Sequence, residues 1–106
     1  MPARLLTILI LATAMAGCTT WVKLDDGAEN IRLVPTGEVG NCERVGQTTV
    51  SVRDRVSLYQ RRPAQVEKEL ANLARNSALE IGGDTIVADG PVDEGRQRFI
   101  VYRCLR

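Results

Sequence analysis

Three cysteines carry most of the reactive chemistry that the sequence offers. The chain has 106 residues and no histidine, so a serine–histidine or cysteine–histidine nucleophile pair is excluded. The cysteines are Cys18, Cys42 and Cys104, and thiols of this kind take up a lipid, form disulfides or bind metals. A zinc site is disfavoured, because two thiols without histidine supply only half of a tetrahedral shell. We expect no metal and no cofactor.

Cys18 follows a segment organised like a secretory signal. A short basic start precedes a mostly apolar run over residues 5–15, and the small pair Ala16-Gly17 stands before the cysteine. The run is too short to cross a membrane, which needs about 20 apolar residues. The motif Met15-Ala16-Gly17-Cys18 resembles the bacterial lipobox, in which the thiol receives diacylglycerol and becomes the mature N-terminus. We predict a signal peptide over residues 1–17 and lipidation of Cys18.

Acyl chains on Cys18, palmitate among them, would hold the protein on a membrane, since each buried methylene contributes about 0.8 kcal/mol. Thr19 follows the cysteine, in place of the aspartate associated with retention in the inner membrane. By resemblance to sorted lipoproteins, we expect a lipid-anchored protein on the periplasmic face of the outer membrane. The alternative is a plain secreted protein with an incidental cysteine.

Cys42 and Cys104 then remain as an even pair in an exported domain, which indicates one disulfide bond. The bond would close a long loop. In the chain-entropy model, closing such a loop stabilises the folded state by about 4 kcal/mol. A redox pair is the alternative. Reactive dithiols usually sit close together as Cys-x-x-Cys at a helix N-terminus, and these two cysteines are far apart.

Carboxylates offer little further chemistry. Asp25-Asp26 and Asp93-Glu94 lie beside glycine in predicted turns, and nothing places them across a cleft as hydrolysis needs. Calcium at Asp89 and Asp93-Glu94 is disfavoured, because the spacing of a ligand at every second residue is missing. We therefore predict that the protein is not an enzyme.

An arginine-rich segment is the candidate binding surface. Its candidate partner-binding residues are Arg53, Arg55, Tyr59, Arg61 and Arg62. Arginine binds phosphate or carboxylate bidentately, and a nearby aromatic ring can stack on its plane. We expect these side chains on an exposed loop, facing an acidic protein, cell-wall carboxylates or lipid phosphates. The alternative is a solvated loop without a ligand.

The elements that position these residues follow from the periodicity of the chain. Pro63 suits the first position of a helix, apolar or small residues recur at spacings of three and four, and Gly82-Gly83 ends the pattern. The inward-facing residues of this helix are Val66, Leu70, Leu73, Ala74, Ser77, Ala78 and Ile81. We predict a helix over Pro63–Ile81, a loop over Val56–Arg62, and strands over Asn30–Val34, Cys42–Arg55, Asp84–Ala88 and Arg98–Leu105.

The predicted order is β-β-α-β-β, which is an α+β domain with a small, mostly antiparallel sheet of about four strands covered on one face by one helix. Residues 18–28 are assigned to a lipidated tether and residues 29–106 to the periplasmic domain. The whole chain has 14 basic and 13 acidic residues. Loss of residues 1–17 removes Arg4, so the mature chain has 13 of each and no net side-chain charge. Since nucleic-acid-binding domains usually carry a basic excess, we expect no nucleic acid partner.

Three features occur together: a lipobox, a cysteine before a valine-rich strand, and a helix that runs into Gly-Gly-Asp-Thr-Ile-Val before a final Tyr-x-Cys. The combination resembles the small proteobacterial outer-membrane lipoproteins of the domain-of-unknown-function 4156 family. That family is similar in outline to the stress-sensor lipoprotein of the Rcs phosphorelay, which has four domain cysteines and a long proline-rich tether. The strongest matches are Cys42, residues 78–85 and Tyr102-Arg103-Cys104. The resemblance implies a fold and a location, and the family has no assigned activity.

From these observations we predict a non-catalytic interaction module that docks a periplasmic protein or a cell-wall partner in envelope stress signalling or maintenance. Two other classes stay open. A passive structural lipoprotein would have no specific partner, and a small envelope enzyme is disfavoured by the missing histidine and by the scattered carboxylates.

Overall fold

The computed structural model describes residues 23–56 and 59–105. The predicted signal peptide and Cys18 therefore lie outside the described residues. The regular elements are strands β1 (Arg32–Leu33), β2 (Glu43–Ser51), β3 (Arg55–Val56) and β4 (Tyr59–Gln60), helix α1 (Pro63–Glu80), and strands β5 (Thr85–Ala88) and β6 (Arg96–Arg103). Within these two ranges, no helix has the length and apolar character to cross a bilayer.

Four of the strands form one sheet in the order β1-β5-β6-β2. β1 is parallel to β5, whereas β5 and β2 are both antiparallel to β6. The longest ladder joins β2 to β6, from Glu43 opposite Arg103 to Ser51 opposite Arg96, with a bulge between Arg44 and Gly46. The predicted α+β class and the mostly antiparallel sheet are thus confirmed.

Helix α1 packs on one face of this sheet. Pro63 occupies its start, where the missing N–H leaves no helical hydrogen bond unmade. Ala74 and Ala78 are fully buried, and their small side chains let the helix approach the strands closely. The core cluster consists of Ile31, Val50, Val66, Leu70, Ala74, Ala78, Ile86, Phe99 and Val101. Each fully buried large apolar side chain contributes about 1.5 to 3 kcal/mol.

The end of α1 explains a misassigned core residue. The helix stops at Glu80, so Ile81, which we expected on the inward face, is 44% exposed. Gly82 adopts a φ of +82°, and Gly83 donates its N–H to Ala78 O at 2.8 Å. This is the hydrogen bonding of a Schellman cap, which places glycine in the left-handed region. Gly83 is required for a second reason, because a Cβ there would lie 2.2 Å from Cγ1 of Val101.

The segment assigned to a tether belongs in part to the folded domain. The Asn76 side chain of α1 donates to Lys23 O at 2.9 Å and accepts from Asp25 N–H at 2.8 Å. Ala28 is fully buried. The boundary at residue 28 is therefore too late in the chain, because an asparagine on a distant helix fixes the backbone of residues 23–25.

The predicted strand over Cys42–Arg55 is also too long. β2 ends at Ser51, although Val52 N–H still donates to Gly95 O at 2.8 Å. The chain then bends at Asp54. This bend separates β2 from the arginine-rich segment that follows.

The start of β2 and the end of β6 are joined covalently. Cys42 and Cys104 form the predicted disulfide, with their Cα atoms 4.4 Å apart, inside the range that such bonds need. Cys42 precedes Glu43 and Cys104 follows Arg103, so the disulfide lies just beyond the last residue pair of the ladder. The bond holds the C-terminal strand to the first long strand of the domain.

Asp84 secures the same end of the sheet without a covalent bond, a role that the sequence analysis missed. Its Oδ1 accepts hydrogen bonds from Cys104 N–H and from the Thr85 hydroxyl, each at 2.8 Å. Its Oδ2 accepts from Leu105 N–H at 2.8 Å. One carboxylate therefore binds the backbone N–H groups of Cys104 and of the residue after it.

These bonds set the ionisation of Asp84. Burial acts to raise the pKa of this carboxyl group. The N–H groups of Cys104 and Leu105 lower it, the Thr85 hydroxyl and the charge of Arg32 add to that effect, and the resulting pKa lies below its ordinary value of 3.8. A depressed folded-state pKa means that the carboxylate stabilises the fold above its unfolded pKa. This contribution is lost as the pH falls through the folded value.

We predict that Asp84→Asn lowers the free energy of unfolding at neutral pH by about 1 to 2 kcal/mol, since the amide nitrogen cannot accept the Leu105 N–H. The variant should also show a weaker loss of stability below about pH 4 than the wild type. Denaturant unfolding across the pH series measures both effects. Asp26→Asn, at an exposed carboxylate, is the control and should follow the wild-type curve. Identical pH curves for all three proteins would contradict this role.

Candidate functional site: the β3–β4 hairpin

The arginine-rich segment before α1 is folded, where we expected a loop over Val56–Arg62. β3 and β4 pair in an antiparallel hairpin, with Arg55 opposite Gln60 and Val56 opposite Tyr59. Residues 57 and 58, between the strands, lie outside the described residues. Arg55 Nε donates to Gln60 Oε1 at 3.2 Å across the pair. The loop prediction was wrong because the segment lacks the apolar alternation by which strands are recognised.

Asp54 closes the base of the hairpin through its backbone. Its carbonyl oxygen accepts the N–H of Arg61 at 2.8 Å and the side-chain amide of Gln60 at 2.9 Å. The two ends of the hairpin are therefore held together at the point where the chain leaves β2. This fixes the direction in which the hairpin projects from the sheet.

Arg61 lies beneath the hairpin and is only 8% exposed. Its Nη1 donates to Arg53 O at 2.8 Å, and its Nη2 forms a salt bridge and hydrogen bond with Glu69 Oε2. The expectation of an exposed Arg61 is thus wrong. The cause is the fold of the hairpin onto α1, which places this guanidinium against a carboxylate on the first half of the helix.

Glu69 is the buried charged residue of this region that the sequence analysis missed. It is 2% exposed, and its second oxygen, Oε1, is buried without a hydrogen-bond partner among the described residues. A signal was present in the sequence, because position 69 lies three residues after Val66 and so falls within the inward stripe of the helix. A charged residue inside such a stripe indicates a buried partner of opposite charge.

The other four predicted residues lie at the surface. Tyr59 is 64% exposed, and Arg53, Arg55 and Arg62 are exposed as well. We call Arg53, Arg55, Tyr59 and Arg62 the hairpin patch. Arg55 and Tyr59 lie in the two strands of the hairpin, Arg53 and Arg62 lie just before and just after it, and Arg61 is buried where the hairpin meets α1.

A groove of about 350 Å³ runs beside the hairpin, between the start of α1 and the turn before β6. Val66 and Val92 supply apolar lining, and the carboxyl-bearing residues Asp54, Glu67 and Glu94 lie around them. The hairpin thus has the basic patch on its surface and acidic side chains at its flank. This juxtaposition gives the region both signs of charge within a short distance.

The remaining carboxylates do not assemble into a site in the described ranges. Asp89 is paired with Arg98 at 2.7 Å, and Glu94 occupies a turn with a φ of +49°. Over residues 23–56 and 59–105, no three histidine, cysteine, aspartate or glutamate side chains are grouped closely enough to hold a metal ion. The hairpin is therefore the part of the described surface on which a binding function is best argued.

These features define a small disulfide-bonded α+β domain that carries a basic, aromatic hairpin. The chain belongs to the family described as Domain of unknown function (DUF4156), whose profile matches residues 22–104. No curated protein matches the chain significantly. The chain is similar to the solution NMR structure of the Salmonella typhimurium LT2 secreted protein STM0082, with a TM-score of 0.45 and 19% identity over 87% of this chain and 82% of that one.

We predict that Arg61→Met lowers the free energy of unfolding by about 3 to 5 kcal/mol, because it leaves the Glu69 carboxylate buried without its counter-charge. Arg62→Met, at the neighbouring exposed arginine, is the matched control and should change stability by less than about 0.5 kcal/mol. Denaturant unfolding of the two variants makes the comparison. Equal stabilities would show that the buried pair does not hold the hairpin.

Proposed function

We propose that the protein is a lipid-anchored, non-catalytic interaction module on the periplasmic face of the outer membrane, serving envelope stress signalling or maintenance. Its docking surface is the hairpin patch. The observation that carries this proposal is the contrast between exposed Arg53, Arg55, Tyr59 and Arg62 and the buried Arg61 beneath them. The partner is an anionic protein or cell-wall polymer that meets these side chains.

The physics of binding favours such a surface. Guanidinium groups bind carboxylates or phosphates with two parallel hydrogen bonds. Tyrosine adds a large contact area with few rotatable bonds, and residues of these two types dominate binding hot spots. The base of the hairpin is held by Asp54 O and by the Arg61–Glu69 pair, so the backbone there needs little further ordering when a partner binds.

Two observations support the location. The motif that ends at Cys18 provides for acylation, and the disulfide between Cys42 and Cys104 is of a kind that persists in oxidising compartments such as the periplasm. Because Asn76 already fixes the backbone at Lys23, five residues beyond Cys18 in the sequence, a lipidated chain would hold its domain close to the membrane surface.

We predict that Arg55→Glu combined with Arg62→Glu reduces capture of the partner from crosslinked cell envelopes at least about tenfold, since two of the three arginine charges of the patch are reversed. Lys23→Glu combined with Lys68→Glu is the control, because it makes the same change of charge at exposed positions outside the patch. Unfolding midpoints of both proteins confirm that they fold. Equal capture by the two double variants would show that the patch is an ordinary solvated surface without a ligand.

Fractionation of the same cells tests whether Cys18 carries a lipid anchor. Cys18→Ser should remain unlipidated and leave the membrane fraction, and the wild-type protein should carry the mass of acyl chains on Cys18. A wild-type protein without acyl mass, together with a variant that still fractionates with the outer membrane, would show that the lipoprotein assignment is wrong.

A further inference from the structure

Three exposed apolar side chains lie at one end of the domain. Leu79 is in the last turn of α1 and is 37% exposed, Ile81 follows the helix and is also exposed, and Leu105 is 62% exposed. The backbone N–H of Leu105 donates to the carboxylate of Asp84, three residues after Ile81 in the chain. All three side chains therefore belong to the end of the domain where α1 turns into β5.

The N-terminal part of the described chain enters the fold at the same end. Asn76, three residues before Leu79 on the helix, holds the backbone of Lys23 and Asp25 through its side-chain amide. The chain then passes beside Leu79, because a Cβ built on Gly27 would lie 3.7 Å from Leu79 Cδ1. Lys23, where the described chain begins, is therefore fixed next to the last turns of α1.

Few residues separate this end of the domain from the proposed lipid on Cys18. Lys23 is the fifth residue after Cys18, and five residues span at most about 18 Å even when they are fully extended. Acyl chains on Cys18 lie in the bilayer, so they keep the surface around Lys23 within this distance of the lipid. The exposed apolar side chains beside Lys23 then have a lipid surface within reach.

The hairpin patch lies at the opposite end of α1. The helix begins at Pro63, three residues after β4, and ends at Glu80, which gives it a length of about 27 Å. The buried pair of Arg61 and Glu69 joins the hairpin to the first half of the helix. A domain that rests on the end with Leu79 therefore holds the patch away from the bilayer.

Charge does not decide which surface covers the apolar end. Lys23 and Arg103 are exposed there, and so are the acidic residues Asp25, Asp26 and Glu80. Because both signs of charge are present, the apolar side chains are the groups that gain by leaving water. Beside a lipid anchor they would enter the boundary between headgroups and acyl chains, as the apolar face of an interfacial helix does. A zwitterionic lipid surface is therefore sufficient.

We propose that the domain rests on the phospholipid surface through Leu79, Ile81 and Leu105, with the hairpin patch directed away from the membrane. This inference rests on the acylation of Cys18 that is part of the proposed function. The acyl chains supply the attachment, and the apolar end sets the orientation of the domain. The C-terminal end of α1 then contacts lipid, while its N-terminal end presents the patch to a partner in the periplasm.

The test uses the full acylated chain, purified from membranes and reconstituted in phosphatidylcholine vesicles that contain a nitroxide-bearing phosphatidylcholine. Leu79→Cys and Ile81→Cys each add one reactive thiol, since Cys18 is then a thioether and Cys42 is in the disulfide. A fluorophore on either thiol should lose at least about half of its emission to the lipid nitroxide, because interfacial apolar groups lie about 5 to 10 Å deep. Gln65→Cys is the matched control, exposed near the start of the same helix and about 21 Å along it from position 79. Its label should remain unquenched.

Mass spectrometry and flotation with the vesicles measure the anchor separately from the orientation. An acylated chain that floats but shows no quenching at positions 79 and 81 would refute the orientation and leave the anchor intact. A chain without acyl mass would refute both. Equal quenching at position 65 would show that the domain does not rest on this end. A blue-shifted emission without quenching by the lipid would show that protein, such as a second copy, covers the apolar end, and would also overturn the proposal.

A charge at the proposed contact distinguishes the apolar side chains from the tether. In the labelled Leu79→Cys chain, Ile81→Asp should lower the quenching by lipid at least about threefold, because an ionised carboxylate is costly to transfer into an apolar environment. Gln65→Asp makes the same change of charge near the other end of the helix and should leave the quenching unchanged. Equal quenching with and without Ile81→Asp would show that the tether alone holds position 79 near the lipid, and would contradict the proposal.

Discussion

The covalent link between Cys42 and Cys104 is the constraint on which the rest of this domain depends. It joins the start of β2 to the end of β6, so the longest ladder of the sheet is fixed at one end. Asp84 then binds the N–H groups of Cys104 and Leu105 and connects this end to β5. The core cluster is small, and Phe99 is its one aromatic member among the described residues. Domains of this size often need such links, because they bury too little apolar surface.

The opposite end of the ladder positions the hairpin. Val52 continues the pairing to Gly95, and Asp54 O then closes the base of the hairpin. The Arg61–Glu69 pair joins the hairpin to α1, which packs on the same sheet. The exposed arginines and Tyr59 are thus carried by a rigid support that reaches back through β2 to the disulfide. The position of the proposed docking surface is therefore set by the β2–β6 ladder and by the Arg61–Glu69 pair.

Much of this architecture was predictable from the sequence because its signals are local. Pro63, the spacing of Val66, Leu70 and Ala74, and the glycines after the helix defined α1 to within one residue. Three cysteines allow three pairings, and the assignment of Cys18 to lipidation left Cys42 and Cys104 as the pair that the structure shows. The burial of Arg61 and Glu69 and the contacts of Asn76 were not predictable in the same way. Asn76 contacts residues 51 and 53 positions away, whereas Arg61 and Glu69 are eight residues apart and meet because the hairpin folds against the helix. Without knowledge of these contacts, charged and amide side chains are expected to be exposed.

The most direct test of this account is the free energy of unfolding of the chain in which both cysteines of the disulfide are replaced, Cys42→Ala with Cys104→Ala, compared with the oxidised wild-type protein by denaturant titration at neutral pH. The account predicts a loss of about 2 to 5 kcal/mol, because the unfolded chain regains the entropy that the long closed loop had removed. An unchanged unfolding midpoint and slope would show that the sheet closes without the bond, and would contradict the account.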